Sequence, residues 1–265
     1  VNNMNNMFYN CSNLELLENN NYFDLSKVTA ISFMFYNCTK LSNLNTIFQS
    51  FDQYTSKNMD YMFTNCSSLT TLKFDNSDAN FFCINSMTRI FENCGLLKSL
   101  DISRFFNNDN NIKDLQYMFK SLTSLETLKI NNFDTSLVTN MEQMFYDCQK
   151  LKEINAEFNT KNVQNMNSLF YNCKSLISLN LNSFDTSNVY DMTNIFTNCE
   201  SLQQLDLNKF NTSLTTNMEK FFYNCKSLTT IYFTDKFITS QVTNMSLMFY
   251  NCEKLTVLDL NYFDT

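Results

Sequence analysis

The sequence predicts an α/β solenoid of about ten stacked coils, each 25–28 residues long, with one parallel β-sheet face and short α- or 3₁₀-helical segments opposite. Three observations support this prediction. A five-residue motif recurs along the whole chain, its copies are evenly spaced, and each copy is followed by the same order of apolar residues. We therefore expect residues 1–265 to form a single repeat solenoid that is a segment of a longer protein.

The recurring motif ends in a cysteine and defines the length of a coil. MFYNC occupies residues 34–38, and close variants such as LFYNC at 169–173 return at steps of 25 to 28 residues. Leu122, in MFKSL, occupies the one repeat position that lacks the cysteine. The predicted structural ladder consists of Cys11, Cys38, Cys66, Cys94, Cys148, Cys173, Cys199, Cys225 and Cys252. A period of this length is typical of solenoids, in which each repeat buries its apolar side chains only by stacking on its neighbours.

The apolar positions within one unit predict its two sides. From residue 163 the apolar side chains follow at steps of three, three and one, which match one face of a short helix. The period then changes to two at Leu179 and Leu181, as expected for a strand that points alternate side chains inward. Each coil is therefore predicted to contain a helical side followed by a strand.

The corners carry small polar residues such as Asp134-Thr135-Ser136, which we expect to cap the following helical segment. Carboxylates recur at this corner, at Asp24, Asp52, Asp134, Asp185 and Asp264. A calcium-binding row is the alternative, but Asn159 and Asn211 interrupt the series and no glycine-rich loop accompanies it. The asparagine that precedes most motif cysteines is expected to point inward and to bond to the coil backbone.

The ladder cysteines are interpreted as buried thiols that pack as small apolar side chains. Leu122 supports this interpretation, because leucine fills space but forms no covalent bond or metal bond. Disulfides between adjacent coils and a metal array are the alternatives, although the chain has no CxxC pair and no histidine. We predict no metal site and no cofactor. Cys83 lies outside the ladder and is the candidate for a reactive or paired thiol.

The composite pattern MFxNCxxLxxLxLxxFDTSxVTNM resembles the 26-residue repeat of mollicute and lactobacillus surface proteins, which is related to the BspA-like leucine-rich repeats. The resemblance extends over essentially the whole chain. It implies a leucine-rich-repeat-like solenoid on a cell surface, with a role in adhesion or host contact, and relatives with expanded repeat families also occur in protists.

Composition argues against several functional classes. The net charge of −7 and the lack of a Lys/Arg cluster disfavour nucleic acid and anionic membrane surfaces as partners. No apolar run approaches the roughly 18–20 residues of a membrane span, so we expect no direct membrane insertion by this segment. Without histidine, and with a single glycine, the common acid-base, nucleophilic and phosphate-binding motifs are missing. We therefore predict that the chain is not an enzyme and has no catalytic residue.

The outward residue between the last two inward strand positions varies between repeats and forms the predicted binding stripe. Its members are Lys73, Asp101, Lys129, Asn155, Asn180, Asp206, Tyr232 and Asp259. Variable side chains on the sheet face of a solenoid are typical of a recognition surface. A face that is merely soluble is the alternative, because exposed polar residues need no ligand.

These observations predict a non-enzymatic cell-surface or extracellular repeat scaffold that contacts a protein or glycan surface, with its anchor outside this segment. The alternative is a structural rod that self-associates through its repeat ends into a filament, sheath or larger complex. An intracellular location, as in a protist scaffold, remains open in that alternative.

Overall fold

The computed structural model of the chain describes residues 1–17, 23–25, 27–45, 48–49, 57–73, 84–103, 111–130 and 133–264. Within these residues the chain winds into stacked coils that are joined by backbone hydrogen bonds at intervals of one repeat. The N–H of Phe145, for example, donates to the carbonyl of Leu169 at 3.0 Å, and that of Phe170 donates to Ile195 at 3.0 Å. The predicted solenoid is therefore confirmed, whereas its helices and its single sheet are not.

The strands are two or three residues long and pair only with the same segment of another repeat. They are β1 (Phe23–Asp24), β2 (Asn43–Asn45), β3 (Phe48–Gln49), β4 (Lys57–Asn58), β5 (Thr71–Lys73), β6 (Ile84–Ser86), β7 (Ser99–Asp101), β8 (Thr127–Lys129), β9 (Gln204–Asp206) and β10 (Thr230–Tyr232). All pairs are parallel, and they join β1 to β3, β2 to β5, β4 to β6, β7 to β8 and β9 to β10. The predicted continuous sheet is thus replaced, in the described residues, by five two-stranded sheets. A strand this short contributes few ladder bonds, so small changes in coil geometry interrupt the pairing.

The prediction of helical segments is wrong, because the described part of the chain contains no helix. The motif instead forms overlapping turns in which alternate N–H groups bond to the carbonyl three residues back. In the third coil the N–H groups of Met62, Thr64 and Cys66 donate to Met59, Tyr61 and Phe63 at 3.2, 3.2 and 3.0 Å. Such i to i+3 turns repeat every few residues, and they produce the same spacing of apolar side chains that a helix would.

The intervening N–H groups explain why no helix forms. Those of Tyr61 and Phe63 donate to the carbonyls of Thr88 and Ile90 in the following coil, both at 2.9 Å. An α-helix would need these donors for bonds to the residue four positions earlier. In the stacked coils these N–H groups already donate to the following coil, so they are not available for hydrogen bonds within a helix.

Two residues per coil adopt the left-handed conformation that these turns require. In the third coil they are Tyr61, with φ of 58°, and Asn65, with φ of 64°. Each is the third residue of its turn, the position at which a type II turn needs positive φ and favours glycine or asparagine. The motif asparagine therefore has a conformational role, because asparagine tolerates positive φ better than most residues with a Cβ atom.

The asparagine side chains bond to one another and not to the backbone, so their predicted inward orientation is wrong. Asn93 Nδ2 donates to Asn65 Oδ1 at 2.7 Å, and Asn224 Nδ2 donates to Asn198 Oδ1 at 2.9 Å. These side chains are exposed or partly buried. They form an amide ladder along the outside of the turns, similar in principle to the asparagine ladders of cross-β structures.

Substitution at Asn198 tests the conformational role. Asn198 has φ of 61°, so alanine is strained there and glycine is not. We expect Asn198→Ala to be less stable than Asn198→Gly by about 1 kcal/mol, measured by urea unfolding. Asn155 is the control, since its φ is not positive and alanine should there be more stable than glycine. Equal ranking at the two positions would contradict the role of the left-handed turn.

The interior is a continuous core of apolar side chains with a stack of phenylalanine rings through it. Phe145, Phe170 and Phe196 are 0–1% exposed, and their ring centroids are separated by 5.7 Å at each step. Further stacked pairs extend the row toward both ends, from Phe8–Phe35 at 5.1 Å to Phe222–Phe249 at 5.4 Å. Because each ring packs between its equivalents, the second residue of the motif fixes the vertical alignment of the coils.

The corners are held by buried threonines and not by helix caps. Thr186 is 0% exposed; its hydroxyl donates to the carbonyl of Asn211 and accepts from the N–H of Asn211, both at 2.9 Å. Asp134 accepts the N–H of Ser136 at 2.8 Å, which forms an Asx turn. The predicted capping role is wrong because no helix follows in the described residues, and Asp52 lies outside them.

Candidate binding surfaces

The eight residues of the predicted binding stripe are all exposed in the structure. Several are aligned by strand pairing, since Asp101 is in register with Lys129 and Asp206 with Tyr232. Lys129 Nζ lies 3.8 Å from Asp101 Oδ2, with both side chains more than half exposed. An ion pair this open contributes at most about 1 kcal/mol, so its charges remain accessible to a partner.

Half of the stripe also has a local structural role that was not apparent in the sequence. A side-chain oxygen of Asp206 accepts the N–H of Asn208 at 2.9 Å, and Asp259 accepts that of Asn261 at 2.9 Å. Asn180 and Asp101 make the same contact two residues onward, at 3.0 and 3.2 Å. These Asx turns end the strand and explain the preference for Asp or Asn. In each aspartate the turn uses Oδ1, and the residue remains exposed.

A second surface lies on the side of the solenoid that the motif turns form, here called the turn side. It was not recognised in the sequence. The Arg89 guanidinium lies 3.9 Å from the ring centroid of Tyr117 and 5.7 Å from that of Tyr61. Lys120 Nζ lies 4.4 Å from the Tyr117 ring. Cation–π contacts of this kind are worth about 0.5–1 kcal/mol when exposed and more when desolvated. Tyr61 and Tyr117 each directly precede the motif methionine, and they were the available sequence signal for this surface.

Glu92 forms ion pairs with both Arg89 and Lys120. It is 7% exposed, and its carboxylate lies 3.3 Å from Arg89 Nη1 and 3.6 Å from Lys120 Nζ. A carboxylate with so little solvent needs such partners, because an unpaired buried charge is costly. These ion pairs join two consecutive coils, and the contact of Arg89 with Tyr61 adds a third coil on the turn side.

The tyrosines on the turn side present their ring edges. Tyr146 and Tyr171 stack with centroids 4.5 Å apart and planes 4° apart, and Tyr223 and Tyr250 do so at 4.8 Å and 8°. Each of these pairs buries ring faces against each other, so the stacked faces are not available to sugars or nucleic-acid bases. The aromatic turn side is consequently a poorer candidate platform for glycans than its composition suggests.

The ladder cysteines form a regular row of thiols inside the solenoid. Cys173 Sγ donates to the carbonyl of Phe145 at 3.1 Å, one coil earlier. The same contact, at 3.1–3.2 Å, is made by Cys38, Cys66, Cys94, Cys148, Cys199, Cys225 and Cys252. The prediction of a buried thiol is wrong at Cys11, which is exposed, and Cys252 is half-buried. Leu122 is buried at the cysteine position of its coil, and Cys83 lies outside the described residues.

Burial suppresses the reactivity of these thiols. It raises the pKa of Cys94 and of Cys173 from 9.0 to about 12, and that of Cys38 to about 11. The thiolate is the nucleophile and the metal ligand, so these cysteines are protected from both kinds of chemistry at neutral pH. Where the structure describes the chain, it contains no cluster of three or more potential metal-ligating side chains.

None of the described segments forms a helix with the length and apolarity needed to cross a bilayer.

Comparison with known proteins gives a family and several distant structural similarities. A family model described as "Mycoplasma protein of unknown function, DUF285" matches residues 2–108, 85–204 and 152–263. A solved leucine-rich repeat protein from Bacteroides ovatus is 20% identical, with 90% of this chain and 68% of that chain covered and a TM-score of 0.42. A leucine-rich cell surface protein from Faecalibacterium prausnitzii is 17% identical, with 87% and 76% covered and a TM-score of 0.33. No curated protein matched the chain significantly.

The three family matches overlap and together extend over residues 2–263. They cover the part of the chain in which the cysteine motif recurs, and they confirm the resemblance to mollicute repeat proteins that the motif indicated. The chain belongs to the DUF285 family of Mycoplasma proteins.

Proposed function

We propose that the chain is a non-enzymatic repeat scaffold, on a cell surface or in the extracellular space, whose strand face binds a protein or glycan partner. The observation that carries the proposal is the exposed stripe from Lys73 to Asp259, in which equivalent positions of successive coils carry chemically different side chains. A solenoid binds in this way because its outward residues vary without disturbing the core.

The backbone supports this role by holding the stripe in place. Between coils, the chain uses its own N–H and carbonyl groups, and the corner threonines satisfy further groups. A scaffold ordered before binding loses less conformational entropy when a partner docks. The strand face, which is the surface that carries the stripe, is favoured over the turn side. Its side chains are not stacked in aromatic pairs, as the tyrosines of the turn side are.

The test is binding of the full chain to an array of glycans and extracellular proteins. We expect a partner whose affinity falls at least tenfold when Lys73, Lys129 and Tyr232 are all replaced by serine. The matched control replaces Lys40, Lys150 and Tyr190, which are exposed elsewhere on the solenoid. That control should change affinity less than twofold. Equal losses in both triple variants, or no loss in either, would contradict a strand-face site.

A further inference from the structure

The strand face is divided into two halves of different charge. In the first half the outward positions are occupied by Thr71, Lys73, Ser99, Asp101, Thr127 and Lys129, which give a net charge of +1. In the second half, here called the acidic half, the outward residues of β9, β10 and the equivalent segments of the other coils are Glu153, Asn155, Ser178, Asn180, Gln204, Asp206, Thr230, Tyr232, Val257 and Asp259. Three carboxylates and no lysine or arginine give these positions a net charge of −3.

Tyr232 is the exposed aromatic residue of the acidic half. It is 49% exposed, and its strand partner in register is Asp206. Asp259 occupies the same position one repeat later. Adjacent parallel strands are about 4.8 Å apart, so a tyrosine ring on this face has a carboxylate about one strand spacing away.

This arrangement fits the side chain of arginine or lysine. A guanidinium or ammonium group is attracted to the face of a tyrosine ring and pairs with a carboxylate beside it. Ile177, which is 45% exposed, directly precedes the outward position of Ser178, two coils before Tyr232, and adds apolar surface there. An exposed aromatic residue within a polar rim is also the usual form of a binding hot spot.

We propose that the acidic half binds a basic segment of a protein partner, with an arginine or lysine side chain held against Tyr232 by Asp206. Asp259 contributes to the same negative field. This inference rests on the proposed strand-face function and names its partner class. A neutral glycan would gain nothing from the charge of this surface, and a nucleic acid would be repelled by it.

The structure supplies variants that remove charge without disturbing the turns. Asp206 and Asp259 each accept a backbone N–H, and asparagine keeps that acceptor oxygen. Asp134 and Asp185 make the same Asx contact, with Ser136 at 2.8 Å and Ser187 at 3.0 Å, on the corners. The pairs Asp206→Asn/Asp259→Asn and Asp134→Asn/Asp185→Asn therefore change net charge equally, and only the first pair lies on the strand face.

The experiment measures the fluorescence anisotropy of a labelled nona-arginine peptide titrated with the full chain at low salt. We expect the strand-face pair to weaken binding at least tenfold, and the corner pair less than threefold. Tyr232→Ser should weaken it at least threefold, whereas Tyr190→Ser, at a residue 50% exposed elsewhere, should leave it unchanged. Equal losses in the two aspartate pairs, or a loss in neither, would overturn the inference.

The array and the peptide separate the two proposals. The triple variant of Lys73, Lys129 and Tyr232 can lose an array partner while peptide affinity does not change in Asp206→Asn/Asp259→Asn. In that case the strand-face function is supported and the proposal of a basic partner is wrong. If the peptide depends on these residues while no array partner is lost by the triple variant, the acidic half is supported and the contribution of Lys73 and Lys129 to the strand-face site is contradicted.

Discussion

Replacing Phe170 by alanine is expected to lower the free energy of unfolding by about 3–5 kcal/mol. The ring is 0% exposed and stacks between Phe145 and Phe196 at 5.7 Å on each side. Coils on both sides are fixed by backbone hydrogen bonds, so they cannot collapse into the space that the ring leaves. The cost therefore includes both lost burial and a residual cavity.

Urea unfolding followed by circular dichroism measures this effect. Phe170→Leu should cost clearly less, because leucine fills most of the volume. Tyr190→Ala is the surface control and should change stability by no more than about 0.5 kcal/mol. A loss below about 1 kcal/mol for Phe170→Ala would show that the phenylalanine stack does not hold the coils together.

Mild alkali is expected to unfold the chain under reducing conditions. Burial, the largest cause, raises the pKa of the Cys94 and Cys173 thiols from 9.0 to about 12, and it raises the pKa values of the other buried ladder thiols as well. A raised pKa means that the folded chain retains protons that the unfolded chain has lost. Stability is therefore fully present below pH 9 and falls as the pH rises from 9 toward 12.

The magnitude follows from the number of thiols. Each buried thiol contributes a slope of about 1.4 kcal/mol per pH unit in this window, and the seven buried ladder thiols contribute about 10 together. A typical domain is stable by about 5–15 kcal/mol, so unfolding is expected within roughly two pH units above 9.

Urea midpoints between pH 8 and 11 test this expectation. Cys173→Ala should reduce the slope by about 1.4 kcal/mol per pH unit, because one buried thiol is removed. Cys11→Ala, at an exposed thiol, should leave the slope unchanged. An identical slope in the wild type and in Cys173→Ala would show that the buried thiols do not govern the alkaline transition.

The repeat itself was predictable because its cause is local in the sequence. Met, Phe, Cys and Leu recur at fixed spacing, and side chains that recur once per coil must lie above one another when the coils stack. Leu122 illustrates this, since its position in the period predicted a buried residue and the structure shows it fully buried. The strands at Thr71–Lys73 and Gln204–Asp206 also followed from the change to a period of two. The same change at Leu179 and Leu181 predicted a strand that the structure does not contain.

The stripe was only partly predictable. Its position followed from the alternation of the strands, and exposed Tyr232 lies where that alternation placed it. The Asx turns of Asp206 and Asp259 did not follow, because the same residue types suit either a turn or a binding surface. The cluster of Arg89, Glu92 and Lys120 was not found, since its members belong to two coils and have no common sequence motif.

The sequence by itself determined that the chain is a solenoid, how long each coil is and which side chains line its core. Only the tertiary structure decided whether the motif becomes a helix or a series of turns, and whether its asparagine points inward or outward. The reason is that the deciding hydrogen bonds join residues about one repeat apart, as from Phe145 to Leu169. A spacing of three residues between apolar side chains is compatible with a helix and with a series of turns. Hydrogen bonds to the adjacent coil select the turns.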